Sequence, residues 1–581
     1  MRTKSLYDVR YIENLKDLLE QSANAFAEKA AFWIKIQGGE FRSITYRCFK
    51  EDVEALGTAL TALGLENSFV AVMSENRYEW CTSYLAVACH TGVVVPLDRE
   101  LPVSEKGNLL QRSGASAVIF SGRYSKDMLE VKNKAGTVKY FINMDLEDDT
   151  EDFLSYKKLL EMGRQRLEQK SAAMNRRIID NNALGVLLFT SGTTDLAKGV
   201  MLSHKNICSN IMAVRKTVFV ECGDVSLSIL PLHHTYECTL GFLTLIYSGG
   251  TIAFNEGLKH IQKNFLEVRP TILVTVPLLL ENMYKKIWSQ AGKKAGGKLL
   301  LKVMMGLGSA LRLMKIDIRR SLFSSVHRNF GGRLRLIVTG AAAISPEVSI
   351  GLDRMGFKVL QGYGLTECSP LVTGERDDLY GKASVGLPLP GVGVKIINQD
   401  ENGIGEIIVK GDNVMLGYYK NKEATGKCLK DGWFYTGDLG RMTCRGIYYI
   451  TGRLKNVIVT KNGKNIFPEE VESFINRSPY VLESMVAGYE YGKSGETEVR
   501  AQILPNLEAI KEKLRACSVT KEEIMSVISE VVRGVNKEMP LYKRISTFTI
   551  RESEFIKTTT QKIKRYAENS QMTLKHNKQL M

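Results

Sequence analysis

The chain has 581 residues, a formal net charge of +16 and 44% hydrophobic residues, which is typical of a soluble globular protein with several domains. Its ten cysteines form no CxxC pair, its N-terminus has no hydrophobic signal core, and its most apolar window, residues 271–280, is far shorter than the ~20 residues that span a bilayer. A disulfide framework, a zinc site and a membrane span are therefore not expected, whereas the positive charge suits an anionic partner such as a nucleotide, an acidic protein, nucleic acid or a membrane surface.

The N-terminal part of the sequence alternates helical and extended patterns. We expect an amphipathic helix over residues 11–30, a hairpin-like strand pair over 31–46 and a second helix over 48–64, with Gly64 placed to stop it. Short apolar strands follow, and the alternation predicts an α/β domain with a mostly parallel sheet. Residues 143–180 are polar and charged, so a solvated segment without chemistry is expected there.

The segment LLFTSGTTDLAKGVMLSHK, residues 187–205, joins two apolar runs through a loop of small hydroxyl residues. The first run predicts a buried strand, and the loop offers hydroxyl groups, backbone N–H donors and one lysine. A polyphosphate needs this combination of donors, close backbone approach and positive charge. An ordinary surface turn is the alternative for the loop taken alone, and the absence of a GK[ST] ending distinguishes it from the common P-loop. The candidate phosphate-binding residues are Thr190, Ser191, Gly192, Thr193, Thr194 and Lys198.

After this loop, Ser203 is expected to cap a helix that runs through Val214. The string SILPLHHTYE then places His233 and His234 after a buried strand. Taken alone, this pattern indicates no more than a pair of loop histidines.

Residues 282–316 contain eight Lys or Arg and no Asp or Glu, interleaved with leucine and methionine. A basic amphipathic segment of this kind can lie on an anionic membrane surface. A basic surface helix packed on the core explains the pattern about equally well, and a substrate delivered from a membrane would favour the first interpretation slightly.

The string LRLIVTGAAAISPE, residues 334–347, predicts a strand, a loop and a helix capped by Ser345. The loop consists of small residues, which let a flat ring approach the backbone or simply allow tight packing. The candidate residues are Gly340, Ala341 and Ala342.

The string FKVLQGYGLTE, residues 357–367, predicts a strand that ends in small and polar residues. A tyrosine between two glycines can stack on a base, and a threonine can donate to a phosphate oxygen. A carboxylate beside phosphates would repel them, so it is best explained as a magnesium ligand. The residues in question are Gly362, Tyr363, Gly364, Thr366 and Glu367.

The last part of the chain adds a carboxylate, an arginine and a basic tail. Asp438, in WFYTGDLG, can accept two hydrogen bonds from a ribose diol, although an Asx-turn is the commoner role of such a residue. Arg453 can reach the same ribose or a phosphate. Candidates for binding an anion near the C-terminus, with solvated charges as the alternative, are Lys557, Lys562, Lys564 and Arg565.

These motifs, in this order over about residues 30–565, resemble the adenylate-forming superfamily of acyl-CoA synthetases, luciferases and nonribosomal adenylation domains. LPLHHTYE looks most like the long-chain fatty acid–CoA ligases of bacteria. The resemblance implies an α/β fold with a large N-terminal domain of several subdomains, residues 1–453, and a small mobile α+β domain, residues 454–581. It places Lys455 at the hinge between the two domains.

The resemblance also implies a role for each motif. The loop at 190–198 would hold phosphates, the small residues at 340–342 would flank the adenine, and His234 would lie at the mouth of the carboxylate-substrate pocket. The remaining implied roles are Tyr363 at the adenine, Thr366 at a phosphate, Glu367 at Mg²⁺, Asp438 and Arg453 at the ribose, and Lys562 as the catalytic lysine. Within the lysine loop, Ile556 and Gln561 replace the proline and glycine of the family pattern, which bears on the geometry of the loop.

The implied activity is the activation of a medium- or long-chain fatty acid by ATP and Mg²⁺, followed by transfer of the acyl group to CoA. Two alternatives stay open: a ligase that loads an acyl carrier protein, and a non-catalytic relative that binds nucleotide or lipid. No nucleic-acid recognition motif is present in the sequence. The expected location is the cytoplasm, with or without peripheral contact at the inner face of a membrane through residues 285–315.

Overall fold

The computed structural model describes residues 3–36, 39–134, 136, 138–169, 177–190, 197–381, 384–459, 464–491, 496–557, 563–565 and 568. The chain divides into two compact units. The larger unit contains most residues up to 394 together with Val409–Phe434, and the smaller unit contains Lys395–Ile408 and the residues from Tyr435 onward.

The described strands, in chain order, are β1 (Ala30–Lys35), β2 (Phe41–Thr45), β3 (Phe69–Met73), β4 (Val93–Pro96), β5 (Ala117–Phe120), β6 (Tyr140–Asn143), β7 (Leu154–Ser155), β8 (Leu184–Thr190), β9 (Lys198–Ser203), β10 (Val225–Ser228), β11 (Thr251–Phe254), β12 (Ile272–Thr275), β13 (Leu336–Thr339), β14 (Lys358–Gly364), β15 (Leu371–Gly374), β16 (Leu387–Pro388), β17 (Gly393–Ile397), β18 (Gly405–Lys410), β19 (Gly417–Tyr418), β20 (Leu429–Lys430), β21 (Trp433–Met442), β22 (Tyr448–Arg453), β23 (Ile458–Val459), β24 (Asn465–Ile466), β25 (Val481–Tyr491), β26 (Glu496–Pro505) and β27 (Thr547–Ile550).

The described α-helices are α1 (Leu15–Phe26), α2 (Tyr46–Ala62), α3 (Tyr78–Ala86), α4 (Val103–Ser113), α5 (Ser125–Lys134), α6 (Tyr156–Glu168), α7 (His204–Arg215), α8 (Thr244–Ser248), α9 (Ile261–Val268), α10 (Pro277–Gly292), α11 (Gly297–Leu313), α12 (Arg319–Leu322), α13 (Ser324–Asn329), α14 (Pro346–Arg354), α15 (Lys422–Cys428), α16 (Pro468–Ile475), α17 (Leu507–Leu514) and α18 (Lys521–Glu538). None of these described helices combines the length and apolar character needed to cross a membrane.

Two large sheets form the framework of the larger unit. The first has the strand order β16-β15-β14-β13-β12-β10-β11-β1-β2, and the second has the order β19-β9-β8-β4-β3-β5-β6-β7. The central strands of both sheets pair in parallel, as in β12 with β13, β13 with β14, and β3 with β4. Strands β9 and β15, nearer the sheet edges, pair antiparallel with β8 and β14. Apolar side chains fill these parallel strands because helices cover the sheet faces, so the predicted α/β class is confirmed.

The C-terminal part of the chain has its own sheets and its own core. Strands β25, β26 and β27 form one sheet, in which β25 pairs with β26 antiparallel and β27 joins β26 in parallel. Helices α16 and α18 contribute to the apolar cluster of this unit through Val471, Ile475 and Ile528. A further sheet combines β17, β18, β21, β20 and β22. The prediction of a smaller α+β C-terminal domain is therefore confirmed, whereas the exact boundary at 453/454 stays a prediction.

The structure corrects the expectation of a solvated segment at residues 143–180. Helix α6 lies in this segment and buries Tyr156, Leu159 and Gly163. A side chain at Gly163 would come within 1.9 Å of the carbonyl oxygen of Ala55 in α2, so the two helices pack backbone to backbone. Such contact depends on one glycine in an otherwise polar sequence, which hydrophobic periodicity does not reveal.

Two residues, Ser203 and Ser345, were predicted to cap helices, and only one of them makes the capping hydrogen bond. Ser203 caps α7 in a capping box, since its side chain accepts from the backbone of Asn206 and the Asn206 side chain accepts from the Ser203 backbone. Ser345 is at the N-cap position of α14, but its side chain makes no capping hydrogen bond. The first prediction is confirmed, and the second is right in position only.

Candidate functional site

Two of the predicted motifs meet at one edge of the first large sheet. Strands β13 and β14 are parallel neighbours, and Gly340 and Gly362 lie at their carboxyl ends. A Cβ atom added to Gly340 would lie 3.4 Å from the carbonyl oxygen of Gly362. Parallel α/β sheets bind ligands outside the carboxyl ends of their strands, so the predicted adenine loop and the GYG motif occupy a position suited to a ligand.

Tyr236, two residues after the histidine pair, packs against the same ends of the sheet strands. The Tyr236 hydroxyl donates to the carbonyl oxygens of Thr275 and Val338, both at 3.2 Å, and thereby ties together the ends of β12 and β13. A side chain at Gly340 would lie 3.3 Å from the Tyr236 ring. Ala341, which is exposed, has a left-handed backbone with φ of 69°, a conformation that costs energy for a non-glycine residue. The loop is therefore held close to the sheet, in a strained conformation of the kind that clusters at functional sites.

The turn from the GYG motif to the predicted metal ligand is equally tight. A Cβ atom at Gly364 would lie 2.1 Å from the carbonyl oxygen of Pro370, so no side chain fits there. One turn of 3₁₀-helix, Thr366–Cys368, follows and carries Glu367. The backbone carbonyl of Glu367 accepts from the N–H of Met415 at 2.9 Å, which fixes the turn against the segment that leads into β19.

The described ends of the phosphate loop adjoin the predicted metal ligand through Tyr418. Thr190 and Lys198 face each other as register partners where β8 and β9 meet the loop. The Lys198 ammonium lies 4.8 Å from the centre of the Tyr418 ring, and the Tyr418 hydroxyl donates to Oε1 of Glu367 at 2.8 Å. Burial and the Glu367 carboxylate raise the pKa of Tyr418, so this phenol keeps its proton and acts as a donor. A cation, a phenol and a carboxylate are thus brought together beside the loop.

The hydrogen bond between Tyr418 and Glu367 is not apparent from the sequence, because the two residues lie 51 positions apart. Replacing Tyr418 with phenylalanine keeps the ring over Lys198 and removes the donor to Glu367. A hydrogen bond to a charged group contributes about 1.5–3 kcal/mol, so we expect kcat/KM for ATP to fall by roughly 10- to 100-fold. The neighbouring variant Tyr419→Phe is the matched control, since its hydroxyl donates to the backbone of Ser113 at 3.4 Å. Equal kinetics for both variants would refute a role for the Tyr418 hydroxyl.

The two histidines lie side by side in a buried environment. Their ring centres are 4.3 Å apart, and Nε2 of His233 is 3.7 Å from Oδ1 of Asp98. Burial lowers the pKa of His234 to about 4 and holds the pKa of His233 well below its ordinary value, so both rings are neutral at pH 7. The contact of His233 with Asp98 is therefore between a neutral ring and a carboxylate. A neutral His234 suits a carboxylate-substrate pocket as a hydrogen-bonding group, and this role stays a prediction.

Glu237, three residues after His234, is a buried acid. It begins a π-helical segment, Glu237–Leu243, and its Oε1 accepts from the Ser228 hydroxyl at 2.6 Å. Its Oε2 is buried and has no hydrogen-bond partner among the described residues. Burial raises the pKa of Glu237 to about 8, so the carboxyl group is protonated at neutral pH.

Because Glu237 is buried and protonated, we expect the stability difference between the parent protein and a Glu237→Gln variant to depend on pH. The folded chain keeps the Glu237 proton up to pH about 8, whereas the unfolded chain loses it near the ordinary pKa of 4.5, so Glu237 lowers stability progressively as the pH rises through that window. We expect Glu237→Gln to gain stability relative to the parent protein between pH 5 and 8, by at most about 1.4 kcal/mol per pH unit. Urea midpoints of both proteins across this range measure the gain. A difference that does not change with pH would contradict a protonated, buried Glu237.

The predicted ribose-binding pair is adjacent in the smaller unit. Asp438 and Arg453 are register partners on β21 and β22, and Nε of Arg453 lies 2.8 Å from Oδ1 of Asp438. Asp438 is buried, with 4% of its surface exposed, whereas the Arg453 side chain is 43% exposed. Arg453 therefore orients the carboxylate and remains open to solvent on one side, as a ligand-binding pair requires. Lys455, the predicted hinge residue, lies exposed in the following 3₁₀ turn, Leu454–Asn456.

The stem of the predicted lysine loop is anchored on both sides. Lys557 and Ile563 form an isolated β-bridge, and the Lys557 ammonium pairs with Glu483 at 2.7 Å. Arg565 makes a bidentate ion pair with the buried Glu472, at 2.8 and 2.6 Å. Lys557 and Arg565 thus have structural partners, which reduces the set of candidate anion-binding residues in this loop to Lys562 and Lys564.

The structure also explains why isoleucine, rather than the proline of the family pattern, can stand at position 556. The Ile556 N–H donates to Oε1 of Glu568 at 2.7 Å, and Glu568 in turn pairs with Arg551 at 2.7 Å. Glu568 is fully buried, so its carboxylate needs such partners. A proline at position 556 has no N–H and could not make this bond. Isoleucine therefore replaces the ring constraint of proline with a buried hydrogen bond.

Several predicted site residues lie outside the described residues: Ser191, Gly192, Thr193, Thr194 and Lys562, together with Gln561. Their roles stay predictions. Within the described part of the chain, no group of three or more His, Cys, Asp or Glu side chains could hold a metal ion. The role of Glu367 at Mg²⁺ stays a prediction.

Comparisons with known proteins bear on the whole chain. The chain is 31% identical over 487 residues to the mouse (Mus musculus) protein named Long-chain-fatty-acid--CoA ligase 5, covering 77% of this chain and 69% of that protein. A crystal structure of the anthranilate CoA ligase AuaEII in complex with anthranoyl-AMP has a TM-score of 0.74 at 19% identity, covering 97% of this chain and 98% of that one. The Mycobacterium tuberculosis fatty acyl CoA synthetase has a TM-score of 0.63 at 22% identity, covering 96% and 98%. These two structures support the fold.

Two family models match the chain in sequence order. One is described as AMP-binding enzyme and matches residues 19–419, and the other is described as AMP-binding enzyme C-terminal domain and matches residues 455–577. The first alone spans well over half of the chain, and it includes the phosphate loop, the GYG motif, Glu367 and Tyr418. The chain belongs to the AMP-binding enzyme family.

Proposed function

We propose that this protein is a long-chain fatty acid–CoA ligase. In the first step a carboxylate oxygen of the fatty acid attacks the α-phosphorus of ATP, the bond to the β-phosphate oxygen breaks, and acyl-adenylate and pyrophosphate form. In the second step the thiol sulfur of CoA attacks the acyl carbon, AMP leaves, and the thiol proton is released. The relatives at about 30% identity are named as ligases of this kind, and their names motivate the choice of a long acyl chain.

The observation that carries the proposal is the convergence of separate motifs at the carboxyl ends of the sheet strands. Lys198, Tyr418 and Glu367 adjoin at the base of the phosphate loop. A Cβ atom at Gly340 would meet the Tyr236 ring and the carbonyl oxygen of Gly362, so the predicted adenine loop and the GYG motif, which precedes Glu367, lie against each other. Cationic, acidic and small residues in one place suit a nucleotide triphosphate with a divalent cation, and they suit few other ligands equally well.

The chemistry needs positioning and charge stabilisation rather than a protein nucleophile. Lys198 and the hydroxyl loop would bind the β- and γ-phosphates, and Glu367 would hold Mg²⁺, which supplies charge neutralisation at those phosphates. Asp438 and Arg453 would bind the ribose. Lys562 would stabilise the charge that develops between the fatty carboxylate and the α-phosphate. The small domain would turn about Lys455 between the two steps, so that Lys562 leaves and the thiol enters.

Two alternative functions differ from this proposal, one in the acyl acceptor and the other in the absence of catalysis. A ligase that transfers the acyl group to an acyl carrier protein would use the same first step, and the net charge of +16 suits an acidic carrier as well as CoA. A non-catalytic relative would bind nucleotide or lipid without turnover. Retention of Glu367, Asp438, Arg453 and Lys562 in one sequence favours catalysis, because a binding protein does not need all four.

The test is release of AMP and pyrophosphate with a series of acids, assayed with CoA and separately with holo-acyl carrier protein. We expect turnover with palmitate and oleate in the presence of CoA, weaker turnover with octanoate and little with acetate or benzoate. Turnover with the carrier protein alone would overturn the choice of acceptor. Absence of AMP formation with every fatty acid would overturn the ligase function. The proposed location is the cytoplasm, with peripheral contact at the inner face of a membrane.

A further inference from the structure

Helix α11 presents an apolar surface on the side that faces away from the protein core. On its inner side, Leu301, Met305 and Gly308 are buried, and the first two belong to the main apolar cluster of the larger unit. Large apolar side chains on and just after the helix are nevertheless exposed. Their exposed fractions are Leu299 67%, Leu300 60%, Val303 58%, Leu307 49%, Leu313 89%, Met314 70% and Ile316 48%.

These exposed residues form a continuous face rather than a scatter. Leu300, Val303 and Leu307 are three and four residues apart, so they lie on one side of the helix, and Met314 continues the same row two turns later. Scattered exposed leucines are normal on protein surfaces, but a contiguous apolar row on an anchored helix indicates an interaction surface. We call this row the outer face of α11.

The charges within the segment that carries the outer face, residues 282–316, are all positive. Residues 282–316 contain eight Lys or Arg and no Asp or Glu. Lys298 and Lys302 are exposed on α11 itself, and Lys293 and Lys294 are exposed at the turn from α10. Arg312 is different, because it pairs with Asp353 at 2.9 Å and so contributes to packing. Four exposed lysines thus lie just before and within the first half of the helix, beside the exposed leucines.

The positive charge and the apolar row together indicate which kind of partner could bind the outer face of α11. A second copy of the chain, joined through the same face on both copies, would bring one set of lysines against the other without any acidic residue of the segment to compensate. An acidic protein would match the charge but not a row of leucines that runs through the length of the helix. An anionic bilayer matches both, because its headgroups attract lysine and its acyl boundary accepts leucine while lysine stems reach back to the headgroups.

We propose that the outer face of α11 docks the protein on an anionic membrane surface, with Leu300, Val303 and Leu307 inserted at the acyl boundary and Lys293, Lys294, Lys298 and Lys302 at the headgroups. The helix lies in the plane of the interface and does not cross the bilayer. The docked surface would give the enzyme direct access to fatty acid held in the membrane, which goes beyond the ligase reaction itself.

The test is flotation of the full-length protein with vesicles, and it needs no substrate, so its failure is separate from failure of the ligase function. Vesicles of phosphatidylcholine with phosphatidylglycerol are compared with vesicles of phosphatidylcholine alone. One variant carries Leu300→Gln, Val303→Gln and Leu307→Gln. A second carries glutamate at Lys293, Lys294, Lys298 and Lys302. A matched control carries glutamate at the exposed lysines 126, 139, 259 and 537, which changes the net charge equally but lies elsewhere in the sequence.

We expect the parent protein and the matched control to float with the anionic vesicles, and both test variants to remain unbound. Each basic group near an anionic leaflet contributes about fivefold to partitioning, so loss of four lysines alone lowers binding by roughly 100-fold or more. Circular dichroism and AMP formation with octanoate in the absence of vesicles check that the variants are folded.

Three results would overturn the proposal. The first is failure of the parent protein to float with anionic vesicles. The second is normal flotation of the glutamine variant, or equal loss of flotation in the matched control. The third is concentration-dependent self-association of the parent protein that the glutamine variant abolishes while vesicle binding is absent, which would assign the outer face to a second copy.

Discussion

Replacing Lys562 with alanine is expected to lower the rate of acyl-adenylate formation by about 100- to 1,000-fold, the range measured when one charge-stabilising group is removed from an active site. The lysine is expected to act only where negative charge develops between carboxylate and α-phosphate. The second step, attack of CoA on preformed acyl-adenylate, is therefore expected to retain most of its rate. Single-turnover measurement of the two steps separates these outcomes.

The neighbouring variant Lys564→Ala is the matched control for this experiment. It removes the same charge two residues away, beside the same β-bridge stem, whose anchors at Lys557 and Arg565 stay intact. We expect it to change the adenylation rate by less than about tenfold, because Lys564 is not placed at the reacting carboxylate and α-phosphate. Larger loss in Lys564→Ala than in Lys562→Ala would mean that the alignment of the loop with the family pattern is wrong by two residues.

Replacing Glu367 with glutamine is expected to lower kcat/KM for ATP by about 100-fold or more, because the amide keeps the shape of the side chain but loses the charge that would hold Mg²⁺. The concentration of Mg²⁺ needed for half-maximal activity is expected to rise as well. Glu347→Gln is the control, since Glu347 is exposed in the first turn of α14 and outside the site. An unchanged Mg²⁺ dependence in Glu367→Gln would refute the role of Glu367 as a metal ligand.

The double variant of Glu367→Gln with Tyr418→Phe tests whether the two residues act together. The Tyr418 hydroxyl donates to Glu367, so its effect on ATP kinetics depends on the carboxylate. We expect the double variant to lose little more than Glu367→Gln alone, whereas independent residues would give additive losses of activation free energy.

The sequence reveals candidate site residues where they lie in one contiguous string. The candidate loop follows β8, the GYG motif forms the last three residues of β14, and Asp438 lies within β21. Pairing of Asp438 with Arg453 could also be anticipated, because both were expected to reach the same ribose, and the structure places them as register partners.

Contacts between residues that are far apart in the chain could not be predicted from the sequence. Tyr418 lies 51 residues from Glu367 and belongs to a strand of two residues that pairs with β9, so nothing in its local sequence marks it as a site residue. Tyr236 is similar, since its role depends on the ends of β12 and β13. The helix at 156–168 was missed because a glycine contact, rather than an apolar stripe, packs it against α2.

The basic segment shows what structure adds to an ambiguous pattern. The sequence supported a packed surface helix and a membrane-contacting helix about equally, with a slight preference for membrane contact. The structure shows that α11 has both an inner face that packs on the core and an outer face of exposed leucines. Helix α11 therefore packs on the core through its inner face, and the proposal of membrane docking concerns its outer face.

The measurement that tests the central claim most directly is the fate of the carboxylate oxygens during turnover. Oleate labelled with heavy oxygen in its carboxylate is incubated with ATP, Mg²⁺, CoA and the protein, and the products are analysed by mass spectrometry. Attack on the α-phosphorus transfers one labelled oxygen to AMP, so labelled AMP in equal amount to oleoyl-CoA is the expected result. Label in inorganic phosphate with formation of ADP would show that an acyl phosphate is the intermediate, and the account of an adenylate-forming ligase would then be wrong.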